Sequence, residues 1–211
     1  MTGATVAVLL AAGAGTRLGR GPKALLPLGH DGGRPLVEHV GAVLLDGGCD
    51  EVVVVLGAEA DRVRAACALD APGLRVVLNP DWSTGMASSL RSGVAAALAP
   101  RDGEAPARVV VAHVDQPGVE PADVARLVAA HRPGRVTASR WADGPAPGPQ
   151  GPRWSHPLVL DAALARPAAA SAVGDAGARA FLRAHADLID VVTHPGDGRD
   201  VDTEADLDLL A

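Results

Sequence analysis

Short β-rich runs at Thr5 to Leu10, Glu51 to Leu56, Leu74 to Leu78 and Arg108 to Ala112 alternate along the chain with segments of helical periodicity. The helical segments are Pro35 to Leu45, Glu59 to Leu69, Met86 to Leu98 and Pro121 to His131. Strands joined through helices pair in parallel by right-handed crossovers, and ligands then collect beyond the carboxyl ends of the strands. The expected fold is therefore α/β: a Rossmann-like, mostly parallel sheet with flanking helices, in one domain over residues 1–211. Pro35 suits the first turn of the first crossover helix, and Gly47 and Gly48 suit its end. Later, Asp175 to Ala186 and Thr203 to Leu210 read as helices, with Leu188 to Thr193 as a strand between them. The segment Asp143 to Pro152 packs four prolines and three glycines into ten residues and reads as a mobile lid or an irregular loop. Trp82, Trp141 and Trp154 lie beside turn residues rather than in periodic strands, and partial core packing explains them more simply than ligand stacking.

Composition removes several classes of partner. A formal charge of −6 argues against a nucleic-acid surface, and 2% aromatic residues leave few platforms for stacking bases. Cys49 and Cys67 are isolated thiols and read as reduced core residues of a cytoplasmic protein. The apolar start has no preceding positive charge, so it reads as a first strand rather than a signal peptide. No apolar run approaches the roughly 20 residues that span a bilayer, so no membrane partner is expected.

Directly after the first strand the chain reads LAAGAGTRLGRGPK, from Leu10 to Lys23. Gly13, Gly15, Gly19 and Gly21 allow backbone N–H groups to approach phosphate oxygens, and the cations Arg17 and Lys23 follow within the loop. A flexible surface loop is the plain alternative. A Walker A loop is absent, because Gly19 is followed by Arg20 and Lys23 by Ala24. A dinucleotide fingerprint fails as well: its third glycine falls on Leu18, and the second strand runs into Gly57 rather than an acid.

The order LAAGxGxRxGxxPKxLLPLG, from Leu10 to Gly29, resembles the signature of the MobA-like nucleotidyltransferases, and more narrowly that of the molybdenum cofactor cytidylyltransferases. Asn79 to Trp82, Gly85 to Leu90, Asp115 to Pro117, Ser155 to Pro157, Gly174 to Arg179 and Asp200 to Thr203 extend the resemblance over almost the whole chain. It implies a GT-A-like architecture and transfer of CMP from CTP to molybdopterin, with magnesium and release of pyrophosphate. A molybdoenzyme or chaperone partner is implied with it. Other readings are transfer to a sugar phosphate or another phosphorylated metabolite, and a noncatalytic protein that binds and delivers nucleotide or cofactor.

Nucleotidyl transfer joins two anions, so positioning and charge neutralisation carry the catalysis. On this resemblance Arg17 holds the β- and γ-phosphates, and Lys23 sits nearer the α-phosphate and the acceptor. Leu10, Ala11 and Ala12 meet base and ribose through the backbone, Gly13, Ala14 and Gly15 form the cradle, and Gly85, Met86 and Ser89 line the pocket. The LAAG form looks cytidine-preferring. Asp115, at the end of a strand, and Asp202, in the DxDT segment, are the expected metal ligands; helix capping is the other reading of Asp202. Ser88 and Ser89 fit capping and ligand contact equally. Gln116, His156 and Arg179 are expected on the acceptor side, an exposed helical Arg being the plain reading of the last. His113 and Val114 depart from the family's GDQP by giving HVDQP, and the five histidines other than His113 and His156 read as surface residues.

Overall fold

The computed structural model describes residues 3–100, 105–144 and 154–211. Its first strand, β1 (Thr5–Leu10), is buried at every position, as expected of a parallel strand covered on both faces. A small antiparallel hairpin, β2 (Pro27–Leu28) with β3 (Arg34–Pro35), leads into helix α1 (Leu36–Asp46). The chain continues through β4 (Glu51–Leu56), α2 (Ala60–Ala66), β5 (Leu74–Leu78), α3 (Met86–Ala97), β6 (Arg108–His113) and α4 (Pro121–Ala130). Then follow β7 (Val136–Trp141), β8 (Ser155–Asp161), α5 (Ala162–Ala170), α6 (Arg179–Ala184), β9 (Ile189–His194) and a 3-10 helix at Glu204–Leu210.

One seven-stranded sheet runs in the order β5-β4-β1-β6-β8-β7-β9. It is mostly parallel: only β8 runs against its neighbours β6 and β7. Because side chains alternate along a strand, β1 feeds two separate cores. Ala7 and Leu9 join Leu36, Val40 and Leu44 of α1 on one face, while Val8 and Leu10 join Leu90 and Val94 of α3 on the other. Helix α3 lies so close to the sheet that a Cβ on Gly93 would enter the side chains of Val8 and Val55. Among the described residues no helix is long and apolar enough to cross a membrane.

The four early strands and their helices form as the periodicity predicts. Helix α2 is shorter than expected, since Cys67 turns extended. The expected helix at Asp175 to Ala186 is broken: a 3-10 turn at Gly174–Ala176 ends in Gly177 at φ 53°, and α6 begins beyond it. Residues Thr203 to Leu210 wind as 3-10 rather than α helix. Strands β7 and β8 and helix α5 were not anticipated. Buried Thr137 and Ser139 break the apolar pattern of β7, and Pro167 sits inside α5 where it reads as a breaker. Trp141 proves to be the last residue of β7 and is buried, contrary to the turn reading. His194 likewise ends β9 fully buried against Trp141 and Asp123, not on the surface. Of the expected lid or loop, residues 145–152 lie outside the described residues.

Candidate active site

Strands β1 and β6 are neighbours in register, Leu10 opposite His113, so the glycine loop and Asp115 leave the sheet at one edge. The Val114 N–H donates to the Leu10 carbonyl and keeps the two exits together. Within the loop, Gly15, Gly19 and Gly21 adopt φ of 63°, 71° and 80°. Leu18, at the position where a dinucleotide loop needs glycine, is buried and pins the loop to the core. Gly15 has no room for a side chain, because a Cβ would enter the Gly21 carbonyl. Gly15→Ala combines that collision with a left-handed backbone that costs about 1–2 kcal/mol for an L-residue. We expect urea unfolding to report a loss of at least about 1 kcal/mol; an unchanged midpoint would contradict this loop geometry.

Lys23 occupies the centre of the charged end. Its Nζ donates to Asp115 Oδ2 at 2.8 Å and to Asp202 Oδ1 at 2.5 Å. Arg17, 74% exposed, donates to the other Asp202 oxygen at 3.1 Å. Burial opposes the charge on Lys23, but Asp115 and Asp202 together hold its pKa above the ordinary lysine value. Asp202 does not cap the terminal helix: Thr203 is its N-cap and Asp206 completes the capping box, so the Asp202 carboxylate is left for the cations. The Val201 N–H donates to the Asp115 carbonyl at 2.8 Å, which locks the C-terminal segment beside β6.

Asp200 was not singled out by the sequence, yet it belongs to this cluster. Burial, then the charges of Asp115 and Asp202, push its carboxyl up to about 6, while Lys23 and a hydrogen bond from Gln116 pull the other way. Gln116 also lies 3.3 Å from the Gly198 carbonyl, bracing the segment that carries both acids.

These groups open into a cavity of about 850 Å³. Leu10, Ala12, Gly13, Ala14 and Gly15 line it from the loop, and Gly85, Met86 and Ser89 from the start of α3. The Ala11 side chain points to the opposite core and its N–H donates to the Val55 carbonyl. Asn79 Nδ2 donates to both serines of α3, at 2.8 Å to Ser88 and 3.0 Å to Ser89. Ser88 lies 2.9 Å from the Asp81 and Gly85 carbonyls and so closes the turn, leaving Ser89 for the cavity. Gly85 at φ 111° could carry no side chain, since a Cβ would press on Gly174 and Asp175, whose carboxylate caps the Met86 N–H.

Gln116, His156 and Arg179 line the far side. The antiparallel register that sets Val111 opposite Leu158 continues to His113 and His156, whose rings lie 4.1 Å apart at 38°. Thus the HVDQP departure supplies an imidazole partner for His156. Burial holds His156 well below the ordinary histidine value, and His113 and Arg179 push it the same way. His113 is lowered by burial against the upward pull of Asp115. The unfolded chain protonates such rings below about pH 6.5 while the folded protein does not. Stability therefore falls as pH drops through that value, by up to about 1.4 kcal/mol per pH unit for each ring. Unfolding of His156→Gln between pH 7 and 5 is expected to show a shallower loss than the parent protein; equal slopes would contradict the neutral pair.

Among the described residues no group of three or more His, Cys, Asp or Glu side chains is disposed to hold a metal ion by itself. The donor chemistry still suits a hard divalent cation. Asp115, Asp200 and Asp202 are clustered carboxylates, and burial together with the charges of the other two makes Asp200 resist ionisation. Two such carboxylates completed by phosphate oxygens and water meet the needs of magnesium.

A mostly parallel sheet, a glycine loop after its first strand and carboxylates at the end of the neighbouring strand place the cavity where α/β folds of this kind take up their ligands. The chain belongs to the MobA-like NTP transferase family, whose domain model matches residues 7–188. It is 49% identical over 199 residues to nicotine blue oxidoreductase of Paenarthrobacter nicotinovorans, covering 93% of this chain and 91% of that protein. The fold is shared with a nucleotidyl transferase from Methanothermobacter thermautotroptrophicus, at TM-score 0.75 and 26% identity, over 96% of this chain and 94% of that one. It is also shared with Rv0371C of Mycobacterium tuberculosis H37Rv, in a crystal structure with manganese, at TM-score 0.73 and 28% identity over 98% of each chain.

Proposed function

We propose that this protein transfers CMP from CTP to a molybdopterin-type acceptor and releases pyrophosphate. The observation that carries the reading is the convergence of Lys23 with Asp115 and Asp202 at the mouth of the glycine loop. In the reaction an acceptor phosphate oxygen attacks the α-phosphorus and the bond to the pyrophosphate oxygen breaks. Arg17 and the loop amides hold the β- and γ-phosphates and take up the charge that grows on the leaving group. Lys23 leaves its carboxylate partners for the α-phosphate when substrate enters. Asp115 and Asp202, with Asp200 beside them, would hold magnesium, which would supply neutralisation of the phosphate charge. Manganese in the Rv0371C structure supports a divalent ion in this family. Gln116, His156 and Arg179 face the acceptor, and Leu10, Ala12, Gly85, Met86 and Ser89 enclose the nucleoside. The buried free thiols Cys49 and Cys67, pushed up by burial to about 12 and about 11, suit a cytoplasmic protein.

A second reading is favoured by the relative from Paenarthrobacter: a redox reaction on nicotine blue or a compound like it. One pair of assays separates the two. Pyrophosphate release from CTP, with magnesium and molybdopterin, is the expected result. Release only with a sugar phosphate would move the acceptor. No release with any nucleoside triphosphate, together with conversion of nicotine blue in the presence of a supplied reductant, would put the redox reading first.

A further inference from the structure

Asp200 and Asp202 stand on a stretch without helix or strand, residues 195–203, between β9 and the terminal 3-10 helix. Carboxylates on such a stretch are placed only as well as its supports are locked. Val201 is one support: it is fully buried, and its N–H donates to the Asp115 carbonyl. Gly198 is the other, and it rests on Trp141. A Cβ on Gly198 would enter the indole at Cδ1 and Nε1, so the glycine backbone, at φ 58°, lies directly against the ring. Gln116 Nε2 donates to the Gly198 carbonyl at 3.3 Å and closes this support.

Trp141 is itself held between two strands. Beyond the ends of β7 and β9 their pairing continues: the Ala142 N–H donates to the His194 carbonyl and the Asp143 N–H to the Gly196 carbonyl, both at 2.9 Å. That brings the turn onto the indole. Toward the other neighbour, the β7–β8 ladder shifts register between Ala138 and Ser139 and passes over His156 and Pro157. Side chains of β7 take up the carbonyls there. Ser139 Oγ donates to the Pro157 carbonyl at 2.9 Å, and Trp141 Nε1 to the His156 carbonyl at 3.2 Å. Irregularities of this kind re-aim side chains beside active sites. One buried indole therefore grips the backbone of His156 with its N–H and that of Gly198 with its ring.

We infer that Trp141 is a positioning residue for the carboxylate segment. Its ring, oriented by the His156 carbonyl, sets where Gly198 turns and so where Asp200 and Asp202 stand relative to Asp115 and Lys23. The placement is independent of the nucleotidyl-transfer reading; only its consequence for magnesium rests on that reading.

Trp141→Leu removes the ring, Gly198→Ala drives a methyl group into it, and Trp141→Phe keeps a ring under Gly198. Val40→Ala, in α1 and packed in the core, is the control for a loss of stability alone. Native-state hydrogen exchange, with urea used to bring the variants to equal global stability, reads the Val201 amide. Exchange about tenfold or more faster in Trp141→Leu and in Gly198→Ala than in Val40→Ala is expected, with most of the protection recovered in Trp141→Phe. Equal rates at equal stability would overturn the inference, as would no recovery in Trp141→Phe; Gly198→Ala decides alone if Trp141→Leu does not fold. Calorimetric titration with CTP at graded magnesium gives the second readout. The magnesium concentration at half-saturation should rise about tenfold in Trp141→Leu and Gly198→Ala and stay at the parent value in Val40→Ala. An unmoved requirement in all three would overturn the link from Trp141 to the metal position. Faster Val201 exchange in the variants, with no magnesium-dependent CTP binding by the parent protein, would uphold the placement and count instead against nucleotidyl transfer.

Discussion

Asp115→Asn is expected to lower metal-dependent pyrophosphate release by about a hundredfold or more, the range seen when one preorganised electrostatic contact is removed from an active site. The change keeps the shape of the side chain and alters its charge, so packing at the end of β6 should survive. Two effects act together. One of the carboxylates available to a divalent ion is lost, and Lys23 keeps only Asp202 as a charged partner. Steady-state release at saturating magnesium reads the first effect, and the apparent magnesium requirement should rise with it. Activity within twofold of the parent protein would remove Asp115 from the reaction.

Lys23→Met should lower stability as well as the rate of transfer, and the size of the stability loss should depend on metal. Lys23 is 13% exposed and Asp115 19%, so the ion pair is partly shielded from water. Removing the cation leaves Asp115, Asp200 and Asp202 facing one another, and breaking a buried pair costs about 3 kcal/mol. The partial exposure of Asp202 brings that to about 2 kcal/mol. Because the folded protein holds the Lys23 pKa above the ordinary value, its contribution is fully present at neutral pH and is lost only as pH rises through that higher value. The variant should therefore be clearly less stable at pH 7. As pH falls through about 6 the difference should shrink, because Asp200 takes up a proton and the repulsion left by the missing cation is relieved. Magnesium should restore more stability to Lys23→Met than to the parent protein, since a divalent ion can take the place of the ammonium. Thermal denaturation with and without magnesium measures both effects; equal metal responses would separate Lys23 from the metal position.

How much of this was legible in the sequence depends on distance along the chain. Strands β1, β4, β5 and β6 declare themselves through continuous apolar runs, and the loop glycines through their spacing. Leu18 had already excluded a dinucleotide loop, and its burial gives the physical reason. The motif acids Asp115 and Asp202 were legible by resemblance, and they do meet at Lys23. Asp200 was not, because only the fold of the segment between β9 and the terminal helix brings it to the cavity together with Asp202. The histidine pair was hidden for a related reason. It exists only through the antiparallel pairing of β8 with β6, and the Pro- and Gly-rich stretch before β8 masks that strand.

Titration of the purified protein with CTP, in the presence and absence of magnesium and with Asp115→Asn as the control, tests the nucleotidyl-transfer site most directly. Saturable one-to-one binding that requires magnesium and is lost in the variant is the expected result. Binding of no nucleoside triphosphate, or binding indifferent to both magnesium and Asp115, would contradict it.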